Sequence, residues 1–306
     1  AGITTAGANI TINDPVVIGD DITITTGGGS SGSISLTGTV VGTSDDDLTL
    51  NSGTGTIAVT GTIGAGNEIG TLTVTQSGGA IFTGAVTAAT SVVLTDTTDA
   101  ADIEFTGALV TPTLTTAGQA YDLELFGSGT IITNTVTFIN TGTLTLGNAA
   151  ADTLLFNGGL VVLLPSALTL NATLRSSGDL ISLGDSNTGV TLAGTTSIID
   201  TTNNGGTAAG GAITVAGAVN ATIASTQNLT LHAGTGGNIT VTGAVGGTRL
   251  GDLVVTDGAV QAYEALTVKS LTISDATTSV TFGGAVAATT TITVSSGGTI
   301  VQTGAV

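Results

Sequence analysis

Few side chains in this 306-residue sequence are of types that could carry acid–base or ligand chemistry. No nucleophile elbow, phosphate-binding loop, HExxH motif or paired-carboxylate motif is present, and these patterns are what would bring such groups together. The sequence therefore predicts no catalytic, cofactor-binding or metal-binding residue, and it predicts that the protein is not an enzyme. The basic and phenolic side chains that could have served are Arg175, Arg249, Lys269, His232, Tyr121 and Tyr263.

The single histidine is best interpreted as a turn residue. His232 lies in LTLHAGTG at 229–236, and the matching segment LTLNSGTG at 48–55 has Asn51 in its place. A general base that acts in catalysis needs a titratable group at its position, which Asn does not supply. The duplicate therefore favours a structural role for His232.

Aspartates cluster in two predicted turns, GDD at 19–21 and SDDD at 44–47. Carboxylate oxygens are hard ligands that suit Ca²⁺. However, the EF-hand loop is missing, and so is the repeated GGxGxDx nonapeptide that binds calcium between coils. Solvated turn aspartates are the favoured interpretation, and Ca²⁺ is kept as a minor alternative to no cofactor.

Two further surface patterns follow from the high threonine content. Exposed threonine runs such as TLTVT would give the regular hydroxyl array of an ice-binding solenoid only with a strict coil length, which this sequence lacks. The tripeptides with the N-glycosylation pattern are expected from composition alone. They are NIT at 9–11 and 238–240, NAT at 171–173 and 220–222, and NLT at 228–230.

Composition restricts the partners and the compartment. There are 21 Asp and Glu against 3 Lys and Arg, for a net charge of −18, so contact with nucleic acid or an anionic membrane surface is not expected. The longest strongly apolar run, LVVLL at 160–164, is shorter than the roughly 18 residues of a membrane-spanning helix. With no Cys, the redox compartment cannot be read, and the absence of Met predicts a removed leader or an excised segment.

Apolar residues alternate with Thr or Ser through most of the chain, as in GTLTVTQ, NITVTG and TITVSS. A period of two is typical of strands with one buried face, and β-branched residues suit that surface. Clusters of Gly, Asn, Asp and Ser between these segments predict turns. The chain is therefore expected to be all-β.

One motif, apolar-x-apolar-x-Gly-x-apolar, begins at positions 34, 57, 80 and 103, so the interval between copies is the same each time. Units this short cannot bury their own apolar face, so successive units must stack. Later spacings vary, which predicts coils of about 20–26 residues with loops of adjustable length. Further copies are LLFNGGL at 154–160, ITVAGAV at 213–219, ITVTGAV at 239–245, VTFGGAV at 280–286 and IVQTGAV at 300–306.

The expected fold is a parallel β-helix, or β-solenoid, over 1–306, with right-handed coils whose equivalent strands pair at roughly 4.8 Å. A membrane β-barrel would need aromatic girdles, whereas aromatic content is 3%. A β-sandwich would lack this columnar repetition. The predicted inward columns are Ile34, Ile57, Ala80 and Ile103; Leu36, Val59, Phe82 and Phe105; and Val40, Ile63, Val86 and Leu109. A corner column of Gly38, Gly61, Gly84 and Gly107 is expected beside them, and Phe82, Phe105, Phe156 and Phe282 are predicted to share one core slot.

The segments LTLHAGTGGNITVTGAVGG, GDLVVTDGAV and SVTFGGAVAATTTITVSSGGTIVQTGAV resemble the filamentous haemagglutinin-like, β-strand-repeat proteins of bacterial surfaces. The resemblance covers most of the chain, although the family's N-terminal secretion cap is not evident. It implies an exported, extracellular β-helix that acts as a surface fibre, envelope layer or adhesin.

The last segment, IVQTGAV, starts another coil, and this predicts a segment or protomer of a longer assembly. The expected partner is a second copy stacked end to end, or flanking repeats of the same long chain in the stalk of a giant adhesin. Contact with cell-surface glycans is a weaker expectation. A polysaccharide-binding or polysaccharide-cleaving β-helix is a further alternative, which would need a groove with basic and aromatic residues.

Overall fold

The computed structural model describes residues 1–27, 29 and 31–304. Within these residues the protein is all-β and contains no helix; its parallel strands stack as a β-solenoid of about 13 turns with coils of ~23 residues. The predicted fold class is thereby confirmed. The chain divides into two compact units, Ala1–Leu144 and Thr145–Val306, each described below by itself. The expected single domain over 1–306 stays a prediction.

Strands in both units are short, and turns separate them at the coil corners. The first unit contains β1 (Gly2–Thr4), β2 (Ile10–Ile12), β3 (Val16–Ile18), β4 (Ile22–Thr25), β5 (Ile34–Leu36), β6 (Val40–Gly42), β7 (Leu48–Asn51), β8 (Ile57–Val59), β9 (Ile69–Gln76), β10 (Ala80–Phe82), β11 (Val86–Leu94), β12 (Asp102–Phe105), β13 (Leu109–Thr111), β14 (Thr113–Thr116), β15 (Asp122–Leu125), β16 (Thr130–Ile132) and β17 (Val136–Phe138). Strand β18 (Thr143–Leu146) includes the boundary residue between the units.

The second unit has the same build. It contains β19 (Thr153–Phe156), β20 (Leu160–Val162), β21 (Ala167–Leu170), β22 (Thr173–Arg175), β23 (Ile181–Leu183), β24 (Gly189–Leu192), β25 (Thr196–Asp200), β26 (Ile213–Val215), β27 (Val219–Ala221), β28 (Asn228–His232), β29 (Ile239–Val241), β30 (Val245–Asp257), β31 (Val260–Tyr263), β32 (Leu266–Ile273), β33 (Ser279–Phe282), β34 (Val286–Val294) and β35 (Thr299–Gln302).

The predicted inward columns are confirmed in the first unit. Strands β5, β8, β10 and β12 pair in parallel with Ile34 beside Ile57, Ala80 beside Ile57, and Ala80 beside Ile103. The second column, from Leu36 to Phe105, and the third, from Val40 to Leu109, follow the same register. All twelve side chains are buried, so each recurrence of the motif is one coil of the solenoid.

The corner glycines also stack, and the reason is space rather than backbone angle. A Cβ at Gly61 would lie 2.0 Å from the carbonyl oxygen of Gly38, and one at Gly84 would lie 2.3 Å from that of Gly61. None of the four predicted corner glycines has a positive φ. Because backbone lies directly against backbone at this corner, any side chain would force successive coils apart.

The prediction that four phenylalanines share one slot is wrong in part. Phe82 and Phe105 stack in one column with ring centroids 4.8 Å apart. Phe282 instead stacks on Tyr263, and Phe156 lies on β19, which pairs with β22. All four phenylalanines are buried. The apolar-x-Gly motif serves more than one corner of the coil, so a sequence match does not fix the column.

Buried hydroxyl groups hold another corner of the first unit. The Ser52 hydroxyl donates to the carbonyl of Gly55 at 2.6 Å, and that of Thr26 donates to the carbonyl of Gly32 at 2.9 Å. Both side chains are fully buried. Each hydroxyl ties the start of its turn to a backbone carbonyl at the end of the turn. The Gly55 carbonyl also accepts from the Gly78 N–H of the following coil at 2.6 Å, so the turn and the coil contact share this acceptor.

Candidate functional site

The strongest concentration of opposite charges in the described residues lies on the outer surface of the second unit. Arg175 on β22, Asp200 on β25 and His232 on β28 are direct register neighbours, and His232 is the neighbour of Asp257 on β30. We call these four residues the charged ladder. It contains two of the basic residues that the sequence singled out, and its members lie on four successive coils.

Distances within the charged ladder show close electrostatic contact. Arg175 Nε lies 3.5 Å from Asp200 Oδ2, and His232 Nδ1 lies 3.5 Å from Asp200 Oδ1. His232 Nε2 lies 3.1 Å from Asp257 Oδ1. Arg175 Nε is buried and makes no hydrogen bond, so its contact with Asp200 is an ion pair without hydrogen-bond geometry.

Asp200 anchors a long turn, residues 201–211, which we call the strap. Its Oδ1 accepts hydrogen bonds from the Thr202 backbone N–H at 2.8 Å and the Thr202 hydroxyl at 2.6 Å, and its Oδ2 accepts from the Asn204 N–H at 2.7 Å. Asp200 is only 4% exposed. A buried carboxylate needs such partners, because an unpaired buried charge is costly.

The strap also contacts the coils on both sides of it. Asn203 Nδ2 donates to the Ser177 hydroxyl at 3.1 Å, and the Gly236 N–H donates to the Ala209 carbonyl at 2.8 Å. The strap is an insertion, since register partners Thr196 and Asn228 are 32 residues apart, beyond the predicted 20–26. At the short extreme, Asp252 and Ser270 are 18 residues apart.

The other basic and phenolic candidates are not brought to the charged ladder. Arg249 has a buried Nε with no hydrogen-bond partner, and Lys269 is exposed on β32. Tyr121 and Tyr263 are core residues, and burial raises the pKa of Tyr121 to about 12 and the pKa of Tyr263 above its ordinary value. Neither tyrosine is available as a stacking platform for a sugar.

A second electrostatic feature, in the first unit, consists only of carboxylates. Asp102 pairs in register with Asp122, and Glu104 pairs with Glu124, across β12 and β15. We call these four residues the acidic ladder. Residues 1–144 contain no Lys, Arg or His, so no side-chain cation of this unit offsets the repulsion.

Two members of the acidic ladder have perturbed acidities. Burial, followed by repulsion from Asp102, Glu104 and Asp122, raises the pKa of Glu124 to about 7. Burial and the neighbouring carboxylates also raise the pKa of Asp102. Uptake of a proton by Glu124 or Asp102 therefore lowers the repulsion among the four carboxylates.

The two Asp-rich turns are held by the fold itself. Asp46 Oδ2 accepts from the N–H groups of Thr43 at 2.8 Å and Ser44 at 3.0 Å, and these bonds lower the pKa of Asp46. Asp21 Oδ1 accepts from the Asp47 N–H, and Asp47 Oδ1 accepts from the Thr71 N–H. No three His, Cys, Asp or Glu residues in the described ranges are arranged to hold a metal ion. Binding of Ca²⁺ stays a prediction.

The asparagines of the NIT, NAT and NLT tripeptides have a role that the sequence interpretation missed. In four of them the side-chain Oδ1 accepts a backbone N–H from the following coil: Asn9 from Ser33, Asn220 from Thr248, Asn228 from Asp252 and Asn238 from Val260. The sequence signal is an Asn within one residue of the start of a strand: Asn9 and Asn238 precede their strands, Asn228 is the first residue of β28, and Asn220 is the second residue of β27. These asparagines link successive coils.

A surface groove of about 340 Å³ in the first unit ends at Asp102 of the acidic ladder. Its lining contains no basic or aromatic residue: Thr56, Ile57, Ala58, Gly78, Gly79, Ile81, Ala101 and Asp102. Enzymes that act on polysaccharides on such a scaffold would need those residue types in the groove. The groove therefore does not favour the polysaccharide alternative.

Comparison of the chain with known protein families, curated proteins and solved structures finds no match. The geometry alone therefore bears on function. Among the described residues, no helix has the length and apolar character to cross a membrane.

Proposed function

We propose that the chain is a structural protein outside the bacterial cell, which builds a surface filament, fibre or envelope layer by end-to-end stacking of β-solenoid coils. The fold is compatible with this role, since a solenoid grows by adding coils to an existing edge. The observation that carries the proposal is the apolar edge of the coil that contains β34 and β35.

That edge exposes side chains of the same columns that are buried one coil earlier. Val280 is 0% exposed, whereas its register partner Ile300 is 53% exposed. Likewise, Leu271 is 0% exposed and its partner Ile292 is 44% exposed. Burying one such side chain fully contributes about 1.5–3 kcal/mol, so a further coil on this edge would be stabilised by several kcal/mol.

The backbone of this coil also favours the addition of a further coil. Among the described residues, β34 pairs with β32 and β35 pairs with β33, and the other edge of each strand has no partner there. An open strand edge is a template for another strand. A coil with the same columns, from the same chain or a second copy, satisfies both the edge hydrogen bonds and the apolar surface. In the proposed homopolymer, a second copy supplies this coil.

Negative-stain electron microscopy of the purified chain across a concentration series tests the proposal, with sedimentation velocity as the solution readout. We expect filaments that lengthen with concentration. The variant Ile300→Lys places a charge on the exposed edge and should abolish lengthening. Ile223→Lys is the matched control, because Ile223 is 63% exposed in a turn away from this edge.

Short rods at every concentration, for both the unmodified chain and the control, would overturn the homopolymer. The stalk segment of a large adhesin would then be the better interpretation. Filaments that persist in Ile300→Lys would show that assembly uses a different surface.

A further inference from the structure

We propose that protonation of His232 fastens the strap to the second unit, so that residues 201–211 become more ordered as the solution turns mildly acidic. This inference does not depend on the proposed function, because it concerns the charged ladder on the side of the solenoid.

Both ring nitrogens of His232 face carboxylate oxygens. Nδ1 lies 3.5 Å from Asp200 Oδ1, while Nε2 lies 3.1 and 3.2 Å from the two oxygens of Asp257. A neutral imidazole has one N–H, so its other nitrogen directs a lone pair at one of these carboxylates. The imidazolium places one positive charge beside both carboxylates, at hydrogen-bond distance from Asp257 and at ion-pair distance from Asp200.

Asp200 transmits this change to the strap. Its two oxygens hold Thr202 and Asn204 through three hydrogen bonds. Arg175 lies on one side of this carboxylate and His232 on the other. When His232 carries a positive charge, Asp200 has a cation on both sides, and the orientation needed to accept all three strap bonds is stabilised.

The charged groups that face His232 can be named coil by coil. Asp200 on β25 faces it from one neighbouring coil and Asp257 on β30 from the other, with Arg175 one coil further along. β28 itself contributes none, since its sequence is NLTLH. No competing cation is paired with Asp257 in the described residues.

The strap needs such fastening. Asn203 and Asn204 adopt left-handed backbone angles, with φ of 51° and 59°, which asparagine tolerates but does not prefer. Residues 204–206 are exposed and therefore gain little from burial. The bonds from Asp200 hold this end of the strap together with the antiparallel bridge between Ser177 and Thr202 and the bond from the Thr207 N–H to the Thr202 carbonyl.

Hydrogen exchange of the full chain between about pH 5 and 8, corrected for the intrinsic pH dependence of exchange, tests the proposal. The chain has one histidine, so its imidazole proton resonances report the protonation of His232 without ambiguity. We expect protection of the Thr202 and Asn204 amides to rise about tenfold on acidification, in step with that resonance.

The variant His232→Asn should remove the response, and the fold should tolerate it because Asn51 occupies the matching position in LTLNSGTG. Asp252→Asn, on the same strand as Asp257 but outside the charged ladder, should keep it. Should His232→Asn not fold, Asp257→Asn removes one of the two carboxylates and should weaken the response. The proposal would be overturned if amide protection did not change with pH in step with the imidazole resonance. It would also be overturned if the same pH dependence persisted in His232→Asn.

Discussion

Replacing Glu124 with Gln should stabilise the first unit at pH 8 and leave its stability unchanged near pH 4, below both pKa values of Glu124. The unfolded chain releases the Glu124 proton near the ordinary value of 4.5, whereas the folded chain keeps it until about pH 7. Between these values the folded state binds more protons. Its stability is therefore complete below about pH 4.5 and falls as the pH rises through 7.

The magnitude follows from the same pKa. If the whole rise in the pKa of Glu124 is converted at 1.36 kcal/mol for each pH unit, the loss in the free energy of unfolding is about 3 kcal/mol. The side chain is partly exposed, and solvent screening reduces the expected effect to about 1–2 kcal/mol. Glutamine has the shape of the protonated acid and no charge, so the variant should gain this amount at pH 8.

Urea unfolding followed by tyrosine fluorescence measures the difference. The chain has 2 Tyr and no Trp, so a Tyr263→Phe background leaves Tyr121 as the reporter of the first unit. Glu68→Gln is the matched control, because Glu68 is an exposed acid of the same unit outside the acidic ladder. An equal gain in stability for both variants would show that the effect comes from the lower net charge and not from the acidic ladder. No gain at pH 8 for Glu124→Gln would refute the reasoning.

Three further substitutions test the packing of the first unit by thermal and urea unfolding. Phe105→Ala removes one ring of the buried pair with Phe82 and should cost about 3–5 kcal/mol, against less than about 1.5 kcal/mol for Phe105→Leu with repacking. Gly61→Ala should lower the melting temperature strongly, because its Cβ meets the Gly38 carbonyl, whereas Gly19→Ala has only the Thr43 hydroxyl at 3.7 Å and should be close to neutral. Ser52→Ala removes one of the two hydrogen bonds to the Gly55 carbonyl, which keeps its bond from the Gly78 N–H, and should cost about 0.5–1 kcal/mol; an unchanged stability would show that the hydroxyl is dispensable.

The fold could be predicted because its signals are local and repeated. Alternation at Ile34 and Leu36, followed by Gly38, gives both the buried face and the corner of one coil, and recurrence at a constant interval then fixes which side chains stack. The three predicted columns have the register that the structure shows. Parallel stacking needs no information beyond that interval.

The two ladders could not be predicted, because they depend on which strands become neighbours after loops of unequal length. Asp200 and His232 are separated by the whole strap, and only its size makes them register partners. Glu104 and Glu124 are closer in the sequence, but nothing there indicates that their side chains face the same way on adjacent coils. The misplaced slot of Phe156 has the same origin.

The unequal spacing between register partners bears on which insertions and deletions the fold can accept. Register partners lie from 18 to 32 residues apart, and the difference is taken up by corner loops and by bulges such as those within β30 and β32. A change of one residue inside a strand turns every following side chain to the opposite face unless a bulge absorbs it, as one does between Leu231 and His232. Recombination between the repeated segments should therefore leave viable descendants that differ by whole coils or by corner loops, and rarely by anything between.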